Sequence, residues 1–229
     1  LTPPPPPSTR VGIRRQRQMC IRDRIKPLSA IFYILDIFPG TQIYEAYKKR
    51  CNVTDDVWLN RIEDILYYET DPDLDQEQIL AFGEQLRTSF YENLPAFVEA
   101  LDLVDIAELY PLHADFLSRL AMTFDHGDYS KIEIIKGKPD MAKYLYQKAL
   151  TYHPDPRAYL GLGIYHQKAG AYKASVKILS EGIAHFPQHE TLNMCLGVSC
   201  MNLGEYNKAL DCFLPFRHTE QALRLIAGC

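Results

Sequence analysis

The sequence has no CxxC pair, no HExxH motif and no long apolar run. Its longest uninterrupted apolar stretch, Ala30–Leu35, is the length of a β-strand, whereas a membrane-spanning helix needs about 18 or more such residues. The 229 residues are 47% hydrophobic and 24% charged, which is enough to bury one substantial core or two smaller ones. We therefore expect a soluble, globular chain with no membrane partner.

The six cysteines follow neither a zinc-finger spacing nor a disulfide framework. Cys195, Cys200 and Cys212 lie in apolar helical patterns, where a reduced thiol usually acts as a small core residue. We predict buried thiols rather than a metal site or disulfides. Free thiols are typical of a reducing compartment, so we expect a cytoplasmic protein.

The formal net charge of −4 is unevenly distributed, because the N-terminal stretch is strongly basic. Asp23 is the only acid there, and it stands among Arg10, Arg14, Arg15, Arg17, Arg22, Arg24 and Lys26. The remainder is more acidic than the chain as a whole. Nucleic-acid binding depends on neutralising phosphates, so we predict no nucleic-acid partner.

The first 24 residues combine a run of five prolines with a basic segment that has little apolar periodicity. The prolines favour an extended, unpacked conformation. A nucleic-acid arm or a targeting peptide is one interpretation of the basic segment. The string at 12–23, Gly-Ile-Arg-Arg-Gln-Arg-Gln-Met-Cys-Ile-Arg-Asp, resembles translated sequencing-adapter read-through instead. On that preferred interpretation residues 1–24 are disordered and artefactual, and the natural start lies upstream.

A strand followed by a sharp turn and a helix is predicted over residues 25–54. Ile25–Phe38 ends in a β-branched and aromatic run of the kind found in a strand covered on both faces. Pro39 and Gly40 permit a tight reversal, and Thr41 can cap the helix that follows. Together they form a βα unit that needs neighbouring strands, and these we expect upstream.

The segment at 37–44, Ile-Phe-Pro-Gly-Thr-Gln-Ile-Tyr, resembles one near the end of the catalytic barrel of radical S-adenosylmethionine enzymes. The likeness is strongest to the group with an upstream cobalamin-binding domain. Residues 68–74 and 110–120 are similar to C-terminal extensions of some bacterial members. The resemblance implies a C-terminal fragment of such an enzyme, in which Pro39, Gly40 and Thr41 shape the mouth of the barrel beside the cofactors. An ordinary strand-to-helix turn is the alternative interpretation.

The cofactors implied for the full-length parent are a 4Fe–4S cluster, S-adenosylmethionine and, in the cobalamin group, cobalamin. The family's CxxxCxxC motif, which holds the cluster, has no counterpart here, so the fragment carries no catalytic residue for that reaction.

A separate candidate site is a group of acidic and histidine residues, which offers metal ligands or acid and base groups. The group consists of His113, Asp115, Asp125, His126 and Asp128. No motif fixes its geometry, and residues 126–128 are explained by a helix end and a turn. We predict no catalytic residue and no metal site.

Residues 55–138 are predicted to be a helical region, because apolar residues recur there at spacings of three and four. The clearest segments are 57–66, 79–91, 94–103 and 116–124, with Pro95 placed in a first turn. With the strand and turn before it and the repeats after it, the predicted fold class is mainly α.

An internal repeat with an offset of 34 residues is the strongest signal in the sequence. The offset aligns Leu162 with Leu196, Gly163 with Gly197, Gly170 with Gly204, Tyr172 with Tyr206, and Leu179 with Phe213. This spacing resembles the tetratricopeptide pattern, which implies stacked helical hairpins over 139–229, an α-solenoid. The first helix of the earliest repeat is degenerate.

Particular residues explain how such hairpins would pack. Gly163 and Gly197 permit a close approach of paired helices, and Gly170 and Gly204 permit the reversal between them. Alanine is usual at the positions of Ser175 and Gly182, so we expect a looser hairpin there. A further first helix begins at Thr219 and has no second helix after it, from which we expect a truncated C-terminus.

First helices line a groove in this family, and eight residues match the groove positions. They are Arg157, Leu160, Ile164, Gln167, Thr191, Met194, Val198 and Met201. The set is mostly apolar and suits a hydrophobic helix or peptide of a protein partner. Alternatively, the same residues contact the helical middle region or a missing repeat.

Two functions follow from these patterns. The first is the C-terminal part of a radical S-adenosylmethionine enzyme whose repeats recruit a protein or substrate. The second is a scaffold without enzymatic activity, in which the repeats bind a protein. Fold alone does not decide between them.

Overall fold

The computed structural model describes residues 26–30, 38–59 and 76–229 of the chain. Regular structure in those residues is entirely helical, which confirms the mainly α fold class. The strand predicted at 25–38 stays a prediction, because residues 31–37 lie outside the described part. Packing divides the chain into two compact units, with the boundary between Ala100 and Leu101.

Within its described residues, the first unit contains two α-helices and a short 3₁₀ turn. They are α1 (Gln42–Cys51), the turn (Asp55–Leu59) and α2 (Gln76–Glu99). Tyr44 is buried, and its hydroxyl donates to Asp55 Oδ1 at 2.7 Å, which joins α1 to the turn. The prediction that Pro95 begins a new helix is wrong, because α2 runs through it. Leu94 and Val98, both fully buried, flank the proline and stabilise the uninterrupted helix by burial.

The second unit is built from seven α-helices that lie among residues 101–229. In chain order they are α3 (Tyr110–Asp125), α4 (Lys138–Tyr152), α5 (Pro156–Lys168), α6 (Tyr172–His185), α7 (Glu190–Asn202), α8 (Tyr206–Phe213) and α9 (Glu220–Ile226). Helices α3 and α4, α5 and α6, and α7 and α8 pack as three successive hairpins. Among all described helices, none is long and apolar enough to cross a membrane.

Side-chain caps fix where three of the first helices begin. Asp155 Oδ1 accepts from the Arg157 amide at 2.9 Å, and His189 Nδ1 accepts from the Leu192 amide at 3.3 Å. Thr219 Oγ1 accepts from the Ala222 amide at 3.3 Å. Each bond satisfies a backbone donor that a helix start leaves unpaired. The structure thus confirms that a further first helix, α9, begins after Thr219.

Equivalent glycines sit at equivalent contacts in the second and third hairpins. A Cβ atom on Gly163 would lie 2.5 Å from Leu179 Cδ2, and one on Gly197 would lie 2.2 Å from Phe213 Cε1. Real Cβ atoms do not approach neighbours that closely, so a larger residue at either position would force the Leu179 or Phe213 side chain to shift. The contacts confirm the 34-residue alignment, in which Leu179 corresponds to Phe213.

The hairpin turns also match the prediction. Gly170 and Gly204 have φ angles of +69° and +75°, in the left-handed region that favours glycine. Each turn ends the first helix and lets the second begin two residues later, at Tyr172 and Tyr206.

The expectation that Ser175 and Gly182 loosen the second hairpin is wrong. Ser175 is fully buried, and its hydroxyl donates to the Gly163 carbonyl oxygen at 2.9 Å. Gly182 makes room for Tyr159, whose Cβ would lie 2.8 Å from an added Cβ. Both departures from alanine are therefore compensated by contacts with the partner helix.

The earliest hairpin starts further upstream than residue 139, the predicted first residue of the repeats. Helix α4 packs against α3, which begins at Tyr110. A turn at 126–137 separates them, and Gly127 donates to the Met122 carbonyl oxygen at 2.9 Å, as expected for a helix end. The degenerate first helix of the sequence pattern is thus α3.

Candidate protein-binding face

The eight predicted groove residues lie on two consecutive first helices, α5 and α7. We call them the first-helix stripe. On each helix they recur at spacings of three and four residues, which places them along one face. The surroundings of the eight differ, and those differences decide which can meet a partner.

Ile164 and Val198 occupy equivalent positions in the 34-residue repeat, and both are partly exposed. Val198 packs at its base against the core cluster that contains Phe213. Leu160, one turn before Ile164, is also partly exposed and contacts the cluster formed by Tyr159, Leu179 and Leu192. Thr191, at the start of α7, is exposed. Leu160, Ile164 and Val198 are thus the accessible apolar residues of the stripe, and Thr191 is an exposed polar one.

Met194 does not lie on this surface, which corrects the prediction for that residue. It is 3% exposed and belongs to the same buried cluster as Cys200, Ala209 and Phe213. Helical spacing placed it on the stripe, but the neighbouring elements of the third hairpin cover it. Met194 is a core residue.

Arg157 is held by acidic groups on both sides. Its Nη2 atom donates to Asp115 Oδ1 on α3 at 2.5 Å and to Asp155 Oδ2 at 2.6 Å. Asp155 is buried, and its hydrogen bond raises the pKa of Arg157, with a further contribution from Asp115. Arg157, followed by Arg119, in turn lowers the pKa of Asp115. Arg157 therefore joins the first two hairpins and is not a free cation for a ligand.

Gln167 and Met201, which are equivalent residues, both point towards the next first helix. The Gln167 Nε2 atom donates to the Cys195 carbonyl oxygen at 2.9 Å and to the Ser199 hydroxyl at 2.7 Å, both on α7. Met201 packs against the buried cluster that includes Ala222 on α9. This position of the repeat thus links successive hairpins, with a polar contact in one case and an apolar contact in the other.

A small polar network lies beneath Gln167, and it was not predicted from the sequence. The hydroxyls of Ser175 and Ser199 are 2.9 Å apart, and both serines are fully buried. Buried hydroxyls are stabilised when they are paired, so the two serines fix the contact between α6 and α7. The unusual serine at position 175 was the one available signal, and its partner could not be inferred from it.

The five acidic and histidine residues considered as a metal or acid-base set do not form one site. Asp115 pairs with Arg119 and Arg157, whereas Asp125 pairs with Lys168 at 3.0 Å. His113 Nε2 lies 2.9 Å from the Val104 carbonyl oxygen. In the part of the chain that the structure describes, no three His, Cys, Asp or Glu side chains are grouped to hold a metal ion.

The turn at Pro39–Thr41, predicted to shape a barrel mouth, is exposed and precedes α1. Gly40 has a φ of +81°, and the Thr41 hydroxyl donates to the Phe38 carbonyl oxygen at 2.8 Å while accepting from the Tyr44 amide at 3.2 Å. The predicted helix cap is thus confirmed. These contacts give the turn a local structural role, and its part in cofactor binding stays a prediction.

Successive hairpins with equivalent glycine contacts define a helical repeat fold. Among solved structures, a mutant of MamA is similar to this chain, with a TM-score of 0.41 and 19% sequence identity over 66% of this chain and 81% of that chain. No family model matches the chain, and no curated protein matches it significantly.

Proposed function

We propose that this chain is a protein-interaction scaffold whose repeats bind an apolar segment of a partner along the first-helix stripe. The observation that carries the proposal is the pair Ile164 and Val198. They are equivalent residues on consecutive first helices, and both are partly exposed, whereas Met194 is buried and Arg157 and Gln167 bond within the protein. Partly exposed aliphatic side chains in a row favour an apolar ligand.

The first-helix stripe offers less support for a catalytic function than for a binding function. Two of the three polar residues in the stripe, Arg157 and Gln167, already bond within the protein. Cys195 is half-buried, and burial raises the pKa of its thiol to about 11, which disfavours the thiolate needed of a nucleophile. Binding rather than catalysis is therefore the function that this face supports best.

The test is selection of short linear peptides from a display library against the full chain. Affinities of the selected peptides are then compared between the original chain and the variants Ile164→Gln and Val198→Gln. Ser180→Gln, on the exposed side of α6, is the matched control. We expect both stripe variants to weaken binding at least tenfold and the control to leave it unchanged, with helical circular dichroism preserved throughout. Equal binding by all four chains would overturn the proposal.

The origin of the chain in a radical S-adenosylmethionine enzyme is a second proposal, based on the likeness at residues 37–44. On this proposal the parent protein would bind the 4Fe–4S cluster, S-adenosylmethionine and, in the cobalamin group, cobalamin, and the repeats would recruit its substrate or partner. Sequencing the genomic region upstream of the codon for Ile25 tests it. A continuous reading frame that contains CxxxCxxC supports the enzyme, and a start codon just before the proline run contradicts it.

A further inference from the structure

The imidazole ring of His189 caps α7 in one protonation state only. Its Nδ1 atom lies 3.3 Å from the amide nitrogen of Leu192. A backbone amide can only donate, so Nδ1 accepts through its lone pair and the ring proton is on Nε2. A protonated ring carries an N–H group at both nitrogens and cannot accept this bond. The cap therefore requires a neutral imidazole.

The backbone around His189 is held by bonds that do not involve the ring. The His189 amide donates to the Phe186 carbonyl oxygen at 3.1 Å, and the His189 carbonyl oxygen accepts from Asn193 Nδ2 at 3.1 Å. Asn193 Nδ2 also donates to the Pro187 carbonyl oxygen at 3.1 Å. Protonation of the ring would therefore remove the cap and leave the turn before α7 bonded.

The other helix caps do not share this chemistry. Among the described helices, side-chain caps are also formed by Thr41 on α1, Asp155 on α5 and Thr219 on α9. Hydroxyls do not change their charge near neutral pH and carboxylates are ionised there, whereas histidines gain a proton as the pH falls through about 6.5. His189 is only partly buried, so solvent protons reach its ring.

The charges around His189 do not override the loss of the cap. Helix α7 packs mainly against α5, α6 and α8. In the part of the chain that the structure describes, no charged side chain of these helices forms an ion pair or hydrogen bond with His189. Along the chain the nearest titratable groups are Glu190, in the first turn of α7, and His185, at the end of α6 and stacked on Tyr159. Glu190 favours a positive ring, whereas the α7 dipole opposes one.

The capped amide belongs to a residue that joins two hairpins. Leu192 is fully buried and packs with Tyr159 and Leu179 of the second hairpin. We propose that His189 is a pH-sensitive cap, whose protonation frees the Leu192 amide and loosens the contact between the second and third hairpins. The cap stabilises this contact above the pH range in which histidines are protonated, and the stabilisation is lost as the pH falls through that range. This inference does not depend on peptide binding by the stripe.

Amide hydrogen exchange measured by NMR tests the inference in the full chain. The matched variant is His189→Thr, which copies Thr219 and keeps a capping oxygen that does not titrate. After correction for the intrinsic pH dependence of exchange, protection of the Leu192 amide should fall about three- to tenfold between about pH 7.5 and 5.5 in the original chain. In His189→Thr it should change less than about twofold. The Ala222 amide, which donates to Thr219 Oγ1 at 3.3 Å, is the internal control and should behave alike in both chains.

Chemical denaturation at the same two pH values gives a second measurement. The unfolding equilibrium constant of the original chain should rise about three- to tenfold more on acidification than that of His189→Thr. All other histidines titrate in both chains, so the difference belongs to position 189. If His189→Thr does not fold, His189→Asp provides the same comparison, because aspartate is also a capping residue.

Two results would overturn the proposal. One is an equal pH dependence of Leu192 protection and of unfolding in the original chain and the capping variant. The other is a nitrogen NMR spectrum that places the proton of the neutral His189 ring on Nδ1, because Nδ1 could then not accept from Leu192.

Discussion

Gly197 lies against the ring of Phe213 so closely that an added Cβ atom would stand 2.2 Å from Cε1, and Gly163 meets Leu179 in the same way. The two contacts are related by the sequence repeat and hold the first and second helices of their hairpins together. Their closeness makes these glycines sensitive to the smallest substitution.

Gly163→Ala and Gly197→Ala are each expected to destabilise the second unit by about 1–3 kcal/mol, the usual cost of overpacking a core. The larger cost should fall on Gly197, because the Phe213 ring is less able to move than a leucine side chain. Chemical denaturation followed by circular dichroism measures the change. Ser180→Ala on the exposed side of α6 is the control and should alter stability by less than about 0.5 kcal/mol.

Asp155→Ala is expected to cost about 1–2 kcal/mol, because the carboxylate caps α5 through the Arg157 amide at 2.9 Å. Asp155→Ser keeps a capping oxygen and loses the charge. The difference in stability between the two variants therefore gives the contribution of the cap. Thermal unfolding of both variants gives the comparison. If serine proves as destabilising as alanine, the carboxylate acts through Arg157 rather than as a cap.

The ion pair between Asp115 and Arg157 should make stability depend on pH. The folded-state pKa of Asp115 is lowered by Arg157 and then by Arg119. A lowered folded-state pKa stabilises the protein above the unfolded-state pKa, about 4, and that stabilisation disappears as the pH falls through the folded-state value. The original chain should therefore be more stable than Asp115→Asn near pH 7 and lose this advantage on acidification. If the stability difference between the original chain and Asp115→Asn stayed constant with pH, it would contradict a stabilising ion pair.

Cysteine reactivity should follow burial. Burial raises the pKa of Cys195 and of Cys212 to about 11, and Cys200 is 2% exposed. Cys51 and Cys229 are exposed free thiols. With a thiol reagent at about pH 8, mass spectrometry should find Cys51 and Cys229 modified before Cys195, Cys200 and Cys212, which should react only on unfolding. Early modification of Cys195 would contradict the packing of α7.

Local signals predicted much of the repeat fold. Gly170 and Gly204 marked the hairpin turns, and Thr219 marked the start of α9, because turns and caps depend on a few adjacent residues. The boundaries of the middle region were less predictable. Pro95 suggested a new helix, but buried neighbours on both sides kept α2 continuous.

Helical spacing predicted the helix face on which the stripe residues lie, but it did not predict which of them are buried. Helical spacing placed Ile164 and Val198 on one face, and both are partly exposed there. The same spacing placed Met194 beside them, although the third hairpin buries it. Periodicity identifies a face of a helix, and it does not tell whether a neighbouring helix covers that face.

The sequence by itself determined that residues 139–229 form helical hairpins, because the 34-residue repeat, its glycines and its caps act within short stretches of chain. The tertiary structure decided how those helices use their polar residues. Arg157 meets Asp115 across 42 positions of sequence, and Gln167 meets Ser199 across 32. Such partners belong to different hairpins, so their contacts exist only once the hairpins have packed together.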